Sequence, residues 1–398
     1  MATRASLPTG SLPSRWTLLP RNGLPAAVGI ALALGLHFWL QPAMSPFHTK
    51  VMLDSGINII LAVSLTLVNG FTGQFSIGHA GFMALGGYAS AAIMYYGSYR
   101  LWGGPAFAGG VLSWTTSQGA FDGPWLAGGD ALFVVACLGG GLVAAVAGYL
   151  VGLPSLRLRG DYLAIVTLGF GEIVRVVLQS SRYQLFDAGE IARASPLHLA
   201  TTLGGSLGFI SLPFYTTLFW VYLFVGVTLL VTYRIKYSSY GRAFLAIRED
   251  EVAAEAMGIH TTRYKVRAFV LSAFFAGIAG ALYAHSIGSI NATELGFQKS
   301  FDLIIMVVLG GMGSISGSAL AAVLLTMLPE VLRKVTEHIN QVLPAAYALP
   351  DLRMIIYSLA LILMMILRPQ GLFGLHEIWD WRPWRRPRPS SKEGPPRP

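Results

Sequence analysis

Few residues of this 398-residue chain have types and spacings suited to chemistry, and most of them lie within apolar sequence. Glu172 and Arg175 stand three positions apart, so on a helix they share a face and can form an ion pair. A charge inside a membrane is costly and is by default a functional-site hypothesis. The pair is therefore a candidate for a pathway role, with structural bracing of the helices as the alternative.

The catalytic classes find little support in the sequence. No His, Cys, Asp and Glu residues have the spacing of a metal site, and no nucleophile beside a base is recognisable. No glycine-rich phosphate loop ending in Gly-Lys-Ser or Gly-Lys-Thr occurs, so ATP that drives this protein must be hydrolysed elsewhere. We expect no catalytic residue, no metal and no cofactor bound by this chain.

Two glycine-rich segments interrupt the apolar runs, at residues 69–91 (NGFTGQFSIGHAGFMALGGYASA) and 308–323 (VLGGMGSISGSALAAV). Small residues let membrane helices approach closely, and irregular backbone at membrane depth survives only where protein or a water-filled cavity covers it. Broken spans in corresponding halves of a chain indicate a pathway between repeats. We expect the substrate pathway to include Gln74, Ser76, His79, Glu172, Ser314 and Ser316. Tight helix packing, with His79 bonding a backbone carbonyl freed by the break, is the alternative.

The basic loop at residues 240–269 contains the signals of a short helix. Asp250 can cap its N-terminus, and Gly258 suits the position that ends a helix. The pattern predicts a helix near residues 251–257, with Val252, Ala256 and Ile259 packed on one side.

Glu251 and Glu255 stand four positions apart on this predicted helix, and such like charges mildly destabilise it. An acidic edge that awaits a basic partner would explain them, and a solvated face is the alternative.

Composition identifies the class of protein. Hydrophobic residues make up 54% of the chain and charged residues 12%, whereas soluble domains carry about 25% charged residues. Uncharged runs reach the length of about 20 residues that a membrane span needs. The single cysteine, Cys137, cannot form an internal disulfide and is interpreted as a packing residue.

Counting both halves of the broken segments predicts an all-α, polytopic bundle of about ten crossings, with the glycine-rich segments as candidates for re-entrant pieces. Lys and Arg accumulate in cytoplasmic loops, and residues 234–267 hold seven of the 28. Both termini are therefore expected in the cytoplasm. The predicted divisions are a cytoplasmic segment at 1–23, a membrane domain at 24–368 with a cytoplasmic loop at 234–267, and a cytoplasmic Pro/Arg-rich tail at 369–398. The basic charge indicates topology, and nucleic-acid binding is a remote alternative.

Taken in order, these segments resemble the LivM-type permeases of branched-chain amino-acid ABC importers. Further matches are RLRGDYLAIVTLGFGEIVRVV at 157–177, GGSLGFISLP at 204–213 and RPQGLFG at 368–374. The resemblance covers roughly residues 50–375, and residues 98–130 look like an expanded outer loop.

The resemblance implies a multi-pass permease of the cell inner membrane without catalytic residues. It would pair with a paralogous permease as a heterodimer, with two cytoplasmic ATPase subunits that use ATP and a periplasmic substrate-binding protein. The residues that would couple it to the ATPases are Arg242, Arg248, Glu249, Asp250, Glu251, Glu255 and Gly258.

Two other functions remain open from the sequence. One is the same machine importing urea or short amides, since related permeases share much of this motif set. An ion-coupled secondary transporter would need more intramembrane acids than Glu172, and it would leave the loop at 240–269 unexplained.

Overall fold

The computed structural model describes residues 19–104, 128–156 and 162–342, together with positions 358–359, 362, 366–367, 371–374 and 377–378. Within these residues the regular elements are helices, and the β-type pairing is one isolated bridge between Phe209 and Ile290. The predicted all-α class is confirmed.

The first half of the described chain contains α1 (Leu19–Gly35), α2 (Gln41–Ala43), α3 (Pro46–Leu65), α4 (His79–Trp102), α5 (Gly128–Ser155), α6 (Tyr162–Gln179), α7 (Ala188–Arg193) and α8 (Pro196–Thr201). The second half contains α9 (Leu218–Lys236), α10 (Ser239–Glu249), α11 (Glu251–Ala256), α12 (Thr261–Ile287), α13 (Phe297–Gly310) and α14 (Ile315–Val342). Wider π-helical turns extend α1 through Leu36–Leu40 and α3 through Thr66–Phe71.

Among the described residues, six helices are long and apolar enough to cross a bilayer. They are Pro46–Phe71, Gly128–Ser155, Tyr162–Gln179, Leu218–Lys236, Thr261–Ile287 and Ile315–His338. A shorter apolar helix covers Ala27–Ala43. The chain is therefore a multi-pass membrane protein, whereas the count of ten crossings and the side of each terminus stay predictions.

The centre of the bundle is formed by α4, α5 and α12, which touch backbone to backbone. A Cβ built on Gly280 of α12 would lie 1.9 Å from the carbonyl oxygen of Met83 on α4. A Cβ on Gly86 would lie 2.2 Å from the Cα of Gly277, and one on Gly140 of α5 would lie 2.4 Å from the Gly86 oxygen. Lipid is as apolar as leucine, so close packing of this kind is what holds membrane helices together.

The short helix predicted in the basic loop is confirmed as α11. Asp250 Oδ1 accepts the amides of Val252 and Ala253 at 2.9 and 3.0 Å, which is the expected N-terminal cap. Gly258 ends the helix with φ of +84°, and its amide donates to the Glu255 carbonyl at 2.9 Å.

The predicted packing face of α11 is wrong. Val252 is 63% exposed and Ala256 is exposed, while the buried residue of the helix is Ala254. The reason is that the face of Glu251 and Glu255 is bonded to the start of α12, which turns Val252 outward.

We expect Gly280→Ala to lower the unfolding temperature of the purified protein in detergent. Its methyl group would overlap the Met83 carbonyl on α4, and overpacking of a well-packed core costs about 1–3 kcal/mol. Gly226→Ala on α9 is the matched control, because its Cβ would meet no atom within 4 Å. Equal unfolding temperatures for the two variants would contradict the close packing of α4 and α12.

Candidate functional site

The two glycine-rich breaks lie against each other. The first break consists of the turn Thr66–Phe71 and the irregular segment between that turn and α4. The second break is the connection at 311–314 between α13 and α14. A Cβ on Gly70 would lie 2.8 Å from the Gly313 nitrogen, and the hydroxyl oxygens of Thr66 and Ser318 are 2.8 Å apart. Segments separated by more than 200 residues in the chain therefore meet at one place.

The irregular segment between α3 and α4 is held by side chains. Asn69 Oδ1 accepts the amide of Ser76 at 3.2 Å, and its Nδ2 donates to the Ser76 carbonyl at 3.5 Å. The amide of Ile77 donates to Thr167 Oγ1 of α6 at 3.1 Å. These contacts supply the partners that backbone without a regular helix needs inside a membrane.

The three predicted pathway residues of the first segment, Gln74, Ser76 and His79, are all buried. His79 Nε2 lies 2.9 Å from Ser64 Oγ, which itself donates to the Leu61 carbonyl at 2.9 Å. The contact joins the start of α4 to the last turn of α3. Gln74 Oε1 has no hydrogen-bond partner among the described residues.

The hydroxyls of Ser314 and Ser316, the predicted pathway residues of the second segment, hold a carboxylate from the C-terminal segment. Ser314 Oγ donates to Glu377 Oε2 at 3.2 Å, and Ser316 Oγ donates to the same oxygen. The amides of Ile315 and Ser316 add bonds of 3.0 and 2.9 Å to this carboxylate. Glu377 therefore caps the N-terminus of α14, where a negative charge also favours the helix dipole.

Glu377 is fully buried and pairs with Lys236 at the end of α9. Burial raises the pKa of its carboxyl, but the hydrogen bonds from Lys236, Ser316 and Ile315 together lower it more, so the pKa lies below the ordinary glutamate value. The sequence reasoning assigned this position to the tail at 369–398. The amide of Leu372 likewise donates to the Leu309 carbonyl of α13 at 2.8 Å.

Two cations bind the carbonyl oxygens of both breaks. Arg248 of α10 donates from Nη1 to the Gly70 oxygen at 2.9 Å and to the Met312 oxygen at 3.5 Å. Lys236 donates to the Gly313 oxygen at 2.8 Å. Both residues belong to the predicted cytoplasmic loop, so that loop is bonded directly to the two breaks.

The acids of α11 have partners inside this chain. Glu251 Oε1 accepts from Lys265 Nζ at 2.6 Å, and Glu255 Oε1 accepts from Thr261 Oγ1 at 2.7 Å. The edge interpreted as waiting for a basic partner is thus bonded to α12. The outward surface is apolar, with Val252 63% and Met257 83% exposed.

The remaining predicted coupling residues lie nearby on α10. Arg242 Nη2 donates to Ser239 Oγ at 3.0 Å, and Glu249 is exposed with Oε1 3.9 Å from Arg248 Nε. The coupling role of the whole set stays a prediction.

Glu172 and Arg175 form the expected ion pair, at 2.7 Å between Oε2 and Nε. Arg175 continues to Gln179 at 3.2 Å, and Gln179 donates to Thr293 Oγ1 at 3.1 Å. The pair therefore connects α6 to the segment that precedes α13. This geometry supports bracing of α6 against the segment before α13.

Sequence reasoning missed a group of polar side chains that joins α13 to α3 and α14. Lys299 of α13 donates to Asn58 Oδ1 at 3.1 Å, and Asn58 Nδ2 donates to Thr326 Oγ1 at 2.9 Å. The sequence analysis singled out neither Lys299 nor Asp302. Asn58, a strongly polar residue within a long apolar run, was the signal that could have found the group.

Within the described part of the chain, no group of three or more His, Cys, Asp and Glu residues could hold a metal ion.

Comparisons with known proteins agree with one another. The family described as "Branched-chain amino acid transport system / permease component" matches residues 48–366. The high-affinity branched-chain amino acid transport system permease protein LivM of Salmonella typhimurium is 35% identical, over 80% of this chain and 68% of its own length. LivM of Escherichia coli is 34% identical, over 87% of this chain and 73% of its own. The permease protein LivH of Salmonella typhimurium is 24% identical, over 80% of this chain and 92% of its own length. No solved structure matches the chain.

We expect Glu377→Ala to lower the unfolding temperature at pH 7. The substitution removes the ion-pair partner of Lys236 and the acceptor of the first amides of α14. Removing one partner of a buried ion pair costs about 3 kcal/mol or more. The lowered pKa means that the contribution is complete above the ordinary glutamate pKa and is lost as the pH falls through the lowered value.

The control is Glu337→Ala on α14, whose exposed pair with Arg333 contributes little. A Glu377→Ala variant that unfolds with the control at pH 7 would contradict the anchoring role of the carboxylate.

Proposed function

The chain belongs to the family of permease components of branched-chain amino acid transport systems, and from that premise we propose that it forms half of the pore of an ATP-driven importer in the cell inner membrane. It carries branched-chain amino acids by alternating access. A paralogous permease supplies the other half, and relatives named LivM and LivH, which both match this chain, support such a pair.

Two ATPase subunits and a periplasmic binding protein complete the proposed machine. ATP is bound and hydrolysed by those ATPase subunits, and this chain binds no cofactor of its own. Its contribution is mechanical.

The observation that carries the coupling proposal is the attachment of α10 to both breaks through Arg248. A force on the loop at 234–267 reaches the Gly70 and Met312 carbonyls through one side chain. Because the breaks end α3 and begin α14, their displacement tilts long helices that cross the membrane. Closure of the ATPases would thus be converted into opening of the pore.

The docking surface in this proposal is the outward side of α11. Val252 and Met257 present apolar area that the described part of the chain leaves exposed. Glu251 and Glu255 hold the helix rigidly on α12, so a push on its tip is transmitted and does not bend it away. The same segment contains the other predicted coupling residues, Arg242, Glu249, Asp250 and Gly258.

The substrate pathway in this proposal follows the first break, along Gln74, Ser76 and His79. The Gln74 Oε1 atom, which has no partner among the described residues, offers an acceptor there. Ser314 and Ser316 border the pathway while they hold Glu377, and Glu172 borders its other end through its brace with Arg175.

Transport by the assembled complex in proteoliposomes tests the function. With this chain, its paralogue, the ATPases and the binding protein, we expect leucine uptake that requires ATP and competes with isoleucine and valine. Uptake that persists without ATP under an ion gradient would refute the importer.

We expect Met257→Asp to reduce ATPase association and coupled uptake about tenfold, as truncations at interface centres do. The residue is 83% exposed, so insertion and folding are unaffected. Co-purification of the ATPases and uptake are measured together. Leu197→Asp on α8, 78% exposed and outside the loop, is the control. Equal effects of the two changes would remove α11 from the docking surface.

The variant Arg248→Gln tests the transmission of force to the breaks separately from the docking of the ATPases. The variant keeps the apolar tip of α11 but loses the charged bonds to Gly70 and Met312. We expect the ATPases to bind normally while the amino acid imported per ATP hydrolysed falls. A variant with unchanged stoichiometry would show that force travels by another route.

A further inference from the structure

We propose that the outward face of α13 lines the substrate path at the middle of the membrane, where Asp302 binds the ammonium and Lys299 the carboxylate of the transported amino acid. The proposal rests on the proposed function, since it names where an amino acid is held during transport. Four observations on α13 and its neighbours lead to it.

The depth of these residues follows from their hydrogen bonds. Lys299 Nζ bonds Asn58, which is the thirteenth residue of the 26-residue span Pro46–Phe71. Asn58 in turn bonds Thr326, the twelfth residue of the 24-residue span Ile315–His338. Two independent spans therefore place Lys299 at mid-membrane, and Asp302 lies one helical turn further along α13.

The face of α13 that carries Asp302 is not covered by the described residues of this chain. Gln298 and Asp302, four positions apart, are exposed, as are Phe297 and Phe301 beside them. An aspartate at the centre of a membrane helix costs about 2.5–3.5 kcal/mol against lipid, even on the lowest scale. Polar side chains at this depth therefore face water or protein, and lipid is excluded as their neighbour.

A cation borders this face, one helical turn from the exposed anion. Lys299 is half-buried and Asp302 is exposed three positions further along α13, and the described residues give Asp302 no hydrogen bond or ion pair. Asn58 uses one of the three donors of the lysine ammonium. A cation and an anion that stand one turn apart match the ammonium and carboxylate of a zwitterion, whereas a single ion would leave one of them unpaired.

The apolar part of the same face suits the rest of the substrate. The rings of Phe297 and Phe301 are 4.4 Å apart and edge to face, and their exposed fractions are 43% and 41%. They adjoin Gln298 and Asp302 along the helix. The face thus offers paired charges beside an aromatic surface, which is the chemistry of an amino acid with an aliphatic side chain.

Cysteine accessibility in the complete complex tests where this face lies. Cys137 is the single native cysteine of the chain and is buried, so the background is low. Gln298→Cys and Phe301→Cys are exposed to a charged, membrane-impermeant thiol reagent, and labelling of this chain is read by mass. We expect labelling that depends on the nucleotide state and that leucine slows several-fold. Met327→Cys on α14 is the matched control, because it is 45% exposed at the same depth in an apolar stripe.

Transport by charge variants tests the binding roles. We expect Asp302→Asn to lower uptake about tenfold or more, as loss of a charged hydrogen bond does, while Asp302→Glu restores part of it. Co-purification of the ATPases and the second permease with each variant shows that the complex is assembled.

Two results would overturn the proposal while the function stands. One is ATP-driven leucine uptake by the wild type with labelling at 298 and 301 no faster than at 327 in every nucleotide state, which would assign this face to the contact with the second permease. The other is normal uptake by Asp302→Asn. A wild-type complex that labels at 298 and 301 with no protection by amino acids and imports none of them refutes the proposed function and the amino-acid site together.

Discussion

A carbonyl oxygen that is released by a broken helix and buried away from water must find a donor within the protein. This requirement shapes the region where the two glycine-rich segments meet. Gly70, Met312 and Gly313 offer such carbonyls, and their donors are the cationic side chains of Arg248 and Lys236. A charged donor forms the stronger class of hydrogen bond. The same bonds that satisfy the carbonyls of the breaks therefore attach the breaks to the loop at 234–267.

Glycine serves two separate purposes in this fold. In α4, α5 and α12 it removes side chains so that backbones touch, as at Gly86 and Gly280. That close packing holds the three helices together at the centre of the bundle. At Gly311 and Gly313 it permits backbone with φ of +108° and +114°, which side chains rarely adopt. The closely packed helices α4, α5 and α12 are thus distinct from the two breaks, where glycine shapes the backbone.

Local patterns predicted much of this arrangement because their causes are local. The caps of α11 depend on Asp250 and Gly258, and the ion pair of Glu172 and Arg175 depends on helical spacing, so both were visible in the sequence. The orientation of α11 was not, since contacts of Glu251 and Glu255 with the start of α12 decided it. Glu377 escaped notice for a similar reason: its partners lie on α9 and α14, and no spacing rule connects them. Lys299 escaped notice as well, because its partner Asn58 lies 241 positions away in the chain and no spacing rule connects the two.

The carboxylate of Glu377 also has a consequence for how the protein is made. Its partners, Lys236 and the first turn of α14, are synthesised well before it, and they lack their acceptor until this residue leaves the ribosome. Insertion of the spans and completion of the junction between the two breaks are therefore separate events in time. A chain whose helices are all inserted still lacks the contacts of Glu377, so the junction is completed last.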